Sequence, residues 1–474
     1  MLGWEFPPHI SGGLGTACQG ICEGLSSAGV EVTFVVPRRM GGEHARGTRV
    51  VGANNPSAPA PARQRPAELS LPLVPLDWVE APTAGRAKDL ADPGPLPGTP
   101  LADAPPGTGT AGRRSILIDS PLSPYQTART YRQTFQPGFG KLTVHGAKRG
   151  PGEPAGKAPA PPLLGGYGEH LFDEIQRYGE IVADLAQHES FDLVHGHDWM
   201  TAPAAIAAAR RADRPLVMHA HALERDRSGD HPDHRIVTLE RNGLRNADRA
   251  ICVSEFTRQQ VHQQYGVPEE RLRVLHNAVT PATSASTRLG SAPAAGEPGP
   301  TVLFLGRVTM QKGPEYFLRA AARVIQHRPD ARFVLSGSGD LLPGMIELSA
   351  SLGLGGHVSF TGFLRGTDVQ HMYSQANLYV MPSVSEPFGI APLEAMVQGV
   401  PVIVSKQSGV SEVVEHALKV DFWDVDELAN KILAAISYPA LAAALSEHGR
   451  EEASSMSWNS RGVSLERIYR EIVA

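Results

Sequence analysis

Residues 377–405, NLYVMPSVSEPFGIAPLEAMVQGVPVIVS, constrain the chain more than any other stretch. The apolar run Leu378, Tyr379, Val380 and Met381 suits a parallel strand buried on both faces. A loop follows from Ser383 to Ile390, and Pro392 suits the first helical position, where its missing N–H costs nothing. Gly399 and Pro401 stop the helix, and VPVIVS supplies the next strand. A helix entered this way presents unpaired backbone N–H groups, which bind anions. Glu386 sits in the loop and Glu394 in the first helical turn. Two carboxylates beside an anion site fit a ligand that is phosphate at one end and polyhydroxylated at the other.

The rest of the chain must house that unit. Its 474 residues exceed one core and predict two domains. A formal net charge of −5 gives no basic surface for nucleic acid or anionic membrane. Cys18, Cys22 and Cys252 make no disulfide framework. No apolar run reaches the roughly 20 residues of a membrane helix, and no signal-peptide pattern opens the chain. A cytoplasmic location without a transmembrane segment is the expectation. Cys18 and Cys22, four apart on a predicted helix, read as two small core residues on one face.

From the beginning, residues 1–4 leave room only for the tail of a strand. The turn Ser11-Gly12-Gly13-Leu14-Gly15 follows, then apolar residues at helical spacing (Leu14, Cys18, Ile21, Leu25), a stop at Gly29, and a strand over 30–36. Such a turn either packs a helix tightly or offers N–H groups to a phosphate or sugar, and the glycines do not fit G-x-G-x-x-G. Residues 40–165 are rich in Pro, Ala and Gly and read as surface insertions, with island strands at 69–78 and 115–120. The next helix carries Leu171, Ile175, Ile181 and Leu185 along a stripe. Two strands then end in His-x-His pairs, His195/His197 and His219/His221, each pair on one strand face. The pairs suit satisfied structural histidines, a zinc site with Asp198 adjacent, or the polar wall of an active site. Ser254 is placed to cap a helix between strands at 250–253 and 272–275. Residues 281–300 read as a linker. A second α/β series then opens, with a helix starting near Pro314 and burying Phe317, Ala321 and Val324.

These residues carry a resemblance. Glu386-x7-Glu394 within SEPFGIAPLEAM, Arg307 and Lys312 within LGRVTMQKG, His197 within VHGHDWMT and the SGGLG turn together resemble glycosyltransferases of the GT-B fold, closest to family 4 and its glycogen and starch synthase relatives. Ile10 stands where the glycogen synthase loop has Lys, which points to another family 4 transferase. The resemblance implies an α/β protein with two Rossmann-like, doubly wound domains facing across a cleft. Residues 1–280 would form the acceptor-side domain and 301–457 the nucleotide-sugar domain. Residues 458–474 would be a helix returning to the first.

It also implies a retaining, metal-independent hexosyltransferase, with a nucleoside-diphosphate sugar as co-substrate, no cofactor, and a saccharide or other hydroxyl acceptor. Arg307 and Lys312 would hold the diphosphate, helped by N–H groups near Phe388, Gly389 and Ile390. Glu394 would bind the ribose hydroxyls, Glu386 the sugar, and His197 the sugar or acceptor. Gly12 and Gly13 would line the substrate side, and Gly362, Phe363 and Leu364 would border the nucleobase. Glucan elongation, and a phosphorylase or a non-catalytic nucleotide-sugar binder on the same fold, are the alternatives.

Overall fold

The computed structural model describes residues 1–8, 13–39, 41–53, 171–280 and 299–473. Every described residue belongs to one compact unit, Met1–Asn55 with Leu122–Ala474. The island strands expected at 69–78 and 115–120, and nearly all of the linker, lie outside the described residues.

The first half contributes β1 (Val32–Val36), β2 (Thr48–Gly52), β3 (Val194–His197), β4 (Leu216–Ala220), β5 (Arg249–Cys252) and β6 (Leu272–Val274). β3 to β6 lie side by side in chain order and β1 pairs with β2, every pairing being parallel. Leu2 joins the two groups, bridging in parallel to Val35 of β1 and Gly196 of β3. Its N–H donates to the His195 carbonyl at 2.8 Å, and its carbonyl accepts from the His197 N–H at 3.1 Å. The short first strand expected at residues 1–4 is therefore a single rung, and it sits where the sheet order reverses.

The second half contributes β7 (Thr301–Leu305), β8 (Arg332–Ser336), β9 (Val358–Gly362), β10 (Leu378–Met381), β11 (Val402–Ser405) and β12 (Leu418–Val420). They form one parallel sheet in the order β9-β8-β7-β10-β11-β12. This is the doubly wound order 3-2-1-4-5-6, in which ligands lie beyond the carboxyl ends of the strands where the order reverses, here between β7 and β10. All four residues of β10 are buried, as its unbroken apolar run requires.

Three local readings need correction. The helix after the loop is Ile390–Val397 with Gly389 at its N-cap, so Pro392 is the third helical residue. The glycine reaches the φ of +94° that turns the chain into the helix two residues early. The strand expected over 30–36 begins at Val32. The Leu171–Leu185 helix buries Ile175, Tyr178, Gly179 and Val182, while Leu171, Ile181 and Leu185 are half-buried. Tyr178 escaped the apolar stripe because its hydroxyl is polar; buried, it donates to the Val35 carbonyl at 2.7 Å.

The last helix, Trp458–Val473, packs on Gly13–Ser27 through glycines. A Cβ on Gly24 would stand 2.1 Å from the Trp458 carbonyl oxygen, and one on Gly462 would stand 2.0 Å from that of Gly24. Cys18, Cys22, Ile21 and Leu25 share one buried cluster with Trp458, Leu465 and Tyr469, so both cysteines are core residues.

Candidate active site

The loops after β7 and β10 converge at the sheet's reversal point. After β7 the chain runs through Gly306 and Arg307 into a single turn, Met310–Lys312. Gly313 follows with a φ of +64°, and a Cβ there would meet the Pro382 carbonyl at 2.1 Å, so only glycine lets the two loops close up. The Val384 N–H donates to the Gln311 carbonyl at 2.8 Å, which fixes the second loop on the first. Pro314 then opens the next helix, as expected.

This apposition pairs Lys312 with Glu386: the ammonium is hydrogen-bonded to the carboxylate, which also accepts from the Ser383 hydroxyl at 3.2 Å. Arg307 donates to the Gln311 side-chain oxygen at 2.9 Å. The Glu386 loop is stapled to the segment after β11 by Glu386 N–H to Gln407 O at 3.0 Å and Val410 N–H to Phe388 O at 2.7 Å. Phe388 is buried; Gly389 and Ile390 open the helix, whose first N–H groups have no partners within it. Glu394 accepts from the Tyr373 hydroxyl at 3.1 Å, and burial raises its pKa. Gly362, at a φ of +72°, ends β9, and Phe363 is exposed with the Arg365 guanidinium over its ring. These two residues and Leu364 lie two strands from β7, at the sheet edge.

On the first half, Gly12 lies outside the described residues, and Gly13 begins the Gly13–Ser27 helix with open space where a Cβ would stand. His197 is fully buried. It stacks on His195 with ring centroids 4.4 Å apart, and its Nδ1 lies 3.0 Å from Nε2 of His221. His219 stacks on His221 at 4.2 Å, so the two His-x-His pairs form one cluster. Desolvation by burial pushes the pKa of His195, His197 and His219 well below the imidazole range and that of His221 down to about 3. Asp198 has a φ of +56°, and its carboxylate accepts the His221 N–H at 2.6 Å. Burial raises that carboxyl's pKa to about 7. No hydrogen bond joins His197 to Arg307, Lys312, Glu386 or Glu394 among the described residues.

Contacts between the halves were not foreseen. The Ser385 hydroxyl, beside Glu386, donates to Asp226 at 2.7 Å. Glu412 accepts from the N–H groups of Glu255 and Phe256 at 2.8 and 2.7 Å, and lies 3.1 Å from Nε2 of His276. Ser254 caps the same helix, its hydroxyl accepting from Thr257 N–H at 3.0 Å. A cavity of about 540 Å³ lies at the opposite, amino ends of β4 and β5. Its Arg210, Arg214 and Arg249 are matched by Asp213, Asp248 and Glu471, so its charges do not single out an anionic ligand.

Two parallel sheets of this order define an architecture of two Rossmann-like halves. The family model described as glycosyl transferases group 1 matches residues 291–452, and that described as glycosyltransferase family 4 matches 142–283. An uncharacterised glycosyltransferase of Methanocaldococcus jannaschii is 32% identical over 48% of this chain and 61% of its own length. The chain thus spans about three-fifths of that relative. The D-inositol 3-phosphate glycosyltransferase of Nocardiopsis dassonvillei is 30% identical over 65% of this chain and 76% of its own. Among solved structures, sucrose-phosphate synthase from Thermosynechococcus elongatus has a TM-score of 0.55 at 26% identity, covering 64% of this chain and 79% of that one. Anabaena HepE, solved with UDP, has a TM-score of 0.52 at 23% identity, covering 62% and 82%. The chain belongs to the glycosyltransferases of the GT-B fold. No single helix among the described residues is long and apolar enough to cross a membrane.

Proposed function

We propose that the protein transfers a hexosyl group from a nucleoside-diphosphate sugar to a saccharide or other hydroxyl acceptor, with retention at the anomeric carbon. The observation that carries this reading is the meeting of Lys312, Glu386 and Ser383, with Arg307 on the facing loop, at the reversal point of the second sheet. As the bond from the anomeric carbon to the diphosphate oxygen breaks, negative charge grows on the phosphates. Arg307 offers a fork of donors and Lys312 a compact charge with hydrogens to spare beyond Glu386. The helix N-terminus at Ile390 adds its partial positive charge, so the diphosphate is held without a metal.

Glu394 and Tyr373 offer acceptors to the ribose hydroxyls, Glu386 engages the sugar, and the Gly362–Leu364 edge borders the base. The acceptor oxygen attacks from the leaving-group side, and its proton passes to the departing phosphate oxygen. His197 and the start of the helix at Gly13 serve the sugar and acceptor from the first domain.

A thermal-shift screen of UDP-, ADP-, GDP- and TDP-sugars tests the reading, run with and without EDTA. A ligand that binds only the native state raises stability with the logarithm of its concentration over Kd. One base class is expected to raise Tm in both conditions. No shift with any donor at millimolar concentration overturns the proposal.

A further inference from the structure

We infer that Asp226 is a positioning residue for the transfer: from the first domain it holds Ser385, and through Ser385 it sets the loop that presents Glu386. Asp226 lies on the five-residue helix Glu224–Ser228 and is only 2% exposed. Its Oδ1 accepts from the Ser385 hydroxyl at 2.7 Å and from the Gln260 amide at 3.2 Å. Its Oδ2 accepts the Leu223 N–H at 2.8 Å. A carboxylate taken out of water needs such donors, and the shortest of the three bonds comes from the other domain. Burial raises the pKa of Asp226, and of the donors that oppose the rise Ser385 weighs most. The buried charge is therefore fully met only while the Glu386 loop is docked on it.

The helix that carries Asp226 is a firm base. The Arg227 guanidinium lies between two buried carboxylates, Glu224 at 3.2 Å and Glu240 at 3.3 Å. Glu240 also accepts the Glu224 N–H at 2.7 Å and the Tyr265 hydroxyl. A loop that drifts therefore leaves Asp226 behind rather than drawing it along.

Within its own domain the loop is held by backbone bonds to one neighbour. Glu386 N–H donates to the Gln407 carbonyl at 3.0 Å, and Gly409 N–H to the Glu386 carbonyl at 2.9 Å. Ser385 adds an anchor from a second direction, one residue from the carboxylate that meets Lys312. The far end of the same first-domain helix reaches the other charged loop: a Cβ on Gly229 would stand 3.6 Å from Cε of Met310, which opens the turn ending in Lys312. One helix thus touches both loops of the charged centre, and docking of the first domain bears on Glu386 and Lys312 together. The consequence for catalysis rests on the transfer reading above; the hold on the loop does not.

The test compares the full wild-type chain with Ser385→Ala, Asp226→Asn and the double variant. Native-state hydrogen exchange over residues 383–390 needs no donor. Losing a hydrogen bond to a charged group should speed exchange of the Glu386 N–H roughly tenfold in Ser385→Ala. With a donor found in the thermal screen, that variant should lose about tenfold in kcat and keep the donor KM within about twofold, because Arg307 and Lys312 still hold the diphosphate. Asp226→Asn should do the same, and the double variant should be no worse than the worse single one, since each removes the same contact. Should Asp226→Asn fail to fold, Ser385→Ala decides, as it deletes one oxygen from a half-buried side chain. Unchanged exchange in Ser385→Ala overturns the inference whether or not a donor is known. Unchanged kcat, or losses that multiply in the double variant, overturns it too and leaves the contact as a stitch between domains. If no donor shifts the wild-type protein, the transfer reading fails by itself, while faster exchange still supports the hold of Asp226 on the loop.

Discussion

The two sheets reverse their strand order in the same way, yet the two reversal points carry opposite chemistry. In the second domain the loops after β7 and β10 gather Arg307, Lys312 and Glu386, partly open to solvent and charged. In the first, the rung at Leu2 and the ends of β3 and β4 gather four buried imidazoles, with the buried Asp198 carboxyl beside them. A shared topology fixes where a ligand lies; the side chains there decide what it is. The charged point suits an anion whose charge changes during reaction, and the neutral point suits an uncharged, polyhydroxylated ligand. The points also differ in support. The charged one is stapled within its own domain by Gly313 and Gln311, whereas the neutral one leans on the last helix through Tyr469, 274 residues from His195 in sequence.

The largest effect should come from breaking the charged point. Lys312→Ala removes a cation from the leaving diphosphate and leaves Glu386 without its ion-pair partner. The expected loss is about 2–4 kcal/mol of transition-state stabilisation, roughly 30- to 1000-fold in kcat/KM. Glu386→Gln should lower kcat while leaving nucleoside-diphosphate affinity within a few-fold. Steady-state kinetics with the donor found in the thermal screen decides, and unchanged kcat/KM in both variants would mean that the charged point is not the reacting centre.

A smaller effect should come from prising the last helix off the first domain. Gly24→Val forces a side chain against the Trp458 carbonyl, which is backbone and cannot swing aside. Overpacking of this kind costs about 1–3 kcal/mol, read as a fall in Tm. Because Tyr469 rides on the same helix, the histidine cluster should loosen while the Lys312–Glu386 pair is untouched. Donor-induced stabilisation should therefore persist below the lowered Tm. Loss of donor binding in step with stability would show that the two points are not independently supported.

The charged point was the more legible in sequence, and for a physical reason. Arg307 and Lys312 lie five residues apart, and Glu386 and Glu394 eight, each pair on one strand–loop–helix unit, so spacing along the chain reports spacing in space. The β10 run, the Pro314 helix start and the Ser254 cap were readable because each rests on local backbone chemistry. Tyr178 was missed because its burial depends on a carbonyl of a strand more than a hundred residues away. The His-x-His pairs were legible singly but not as one cluster, since the stacking of His195 on His197 and His219 on His221 into a single group depends on β3 and β4 lying side by side. Nothing local marks Ser385 as a partner of Asp226, or Tyr469 as a partner of His195.

The smallest expected effect concerns the stitch between the two domains, and its sign follows from one carboxylate. Glu412, carried by the second domain, accepts the first N–H groups of the Glu255–Tyr265 helix in the first domain and faces His276. Burial works against its charge, but the hydrogen bonds from His276, Glu255 and Phe256 outweigh it, and the pKa falls below the ordinary 4.5. A carboxylate depressed in the folded state contributes stability that is fully present above the ordinary value and is lost as pH falls through the folded one. The side chain is about a quarter exposed, and solvent screening holds the contribution to about 0.3–1 kcal/mol, the usual range for a carboxylate at a helix N-terminus. Glu412→Gln should therefore lower stability by that amount at neutral pH, and the gap between variant and wild type should close as pH drops below 4.5. Urea unfolding of both proteins between pH 7 and about pH 3 measures it. A gap that stays constant across the range would assign the contact to shape rather than to charge.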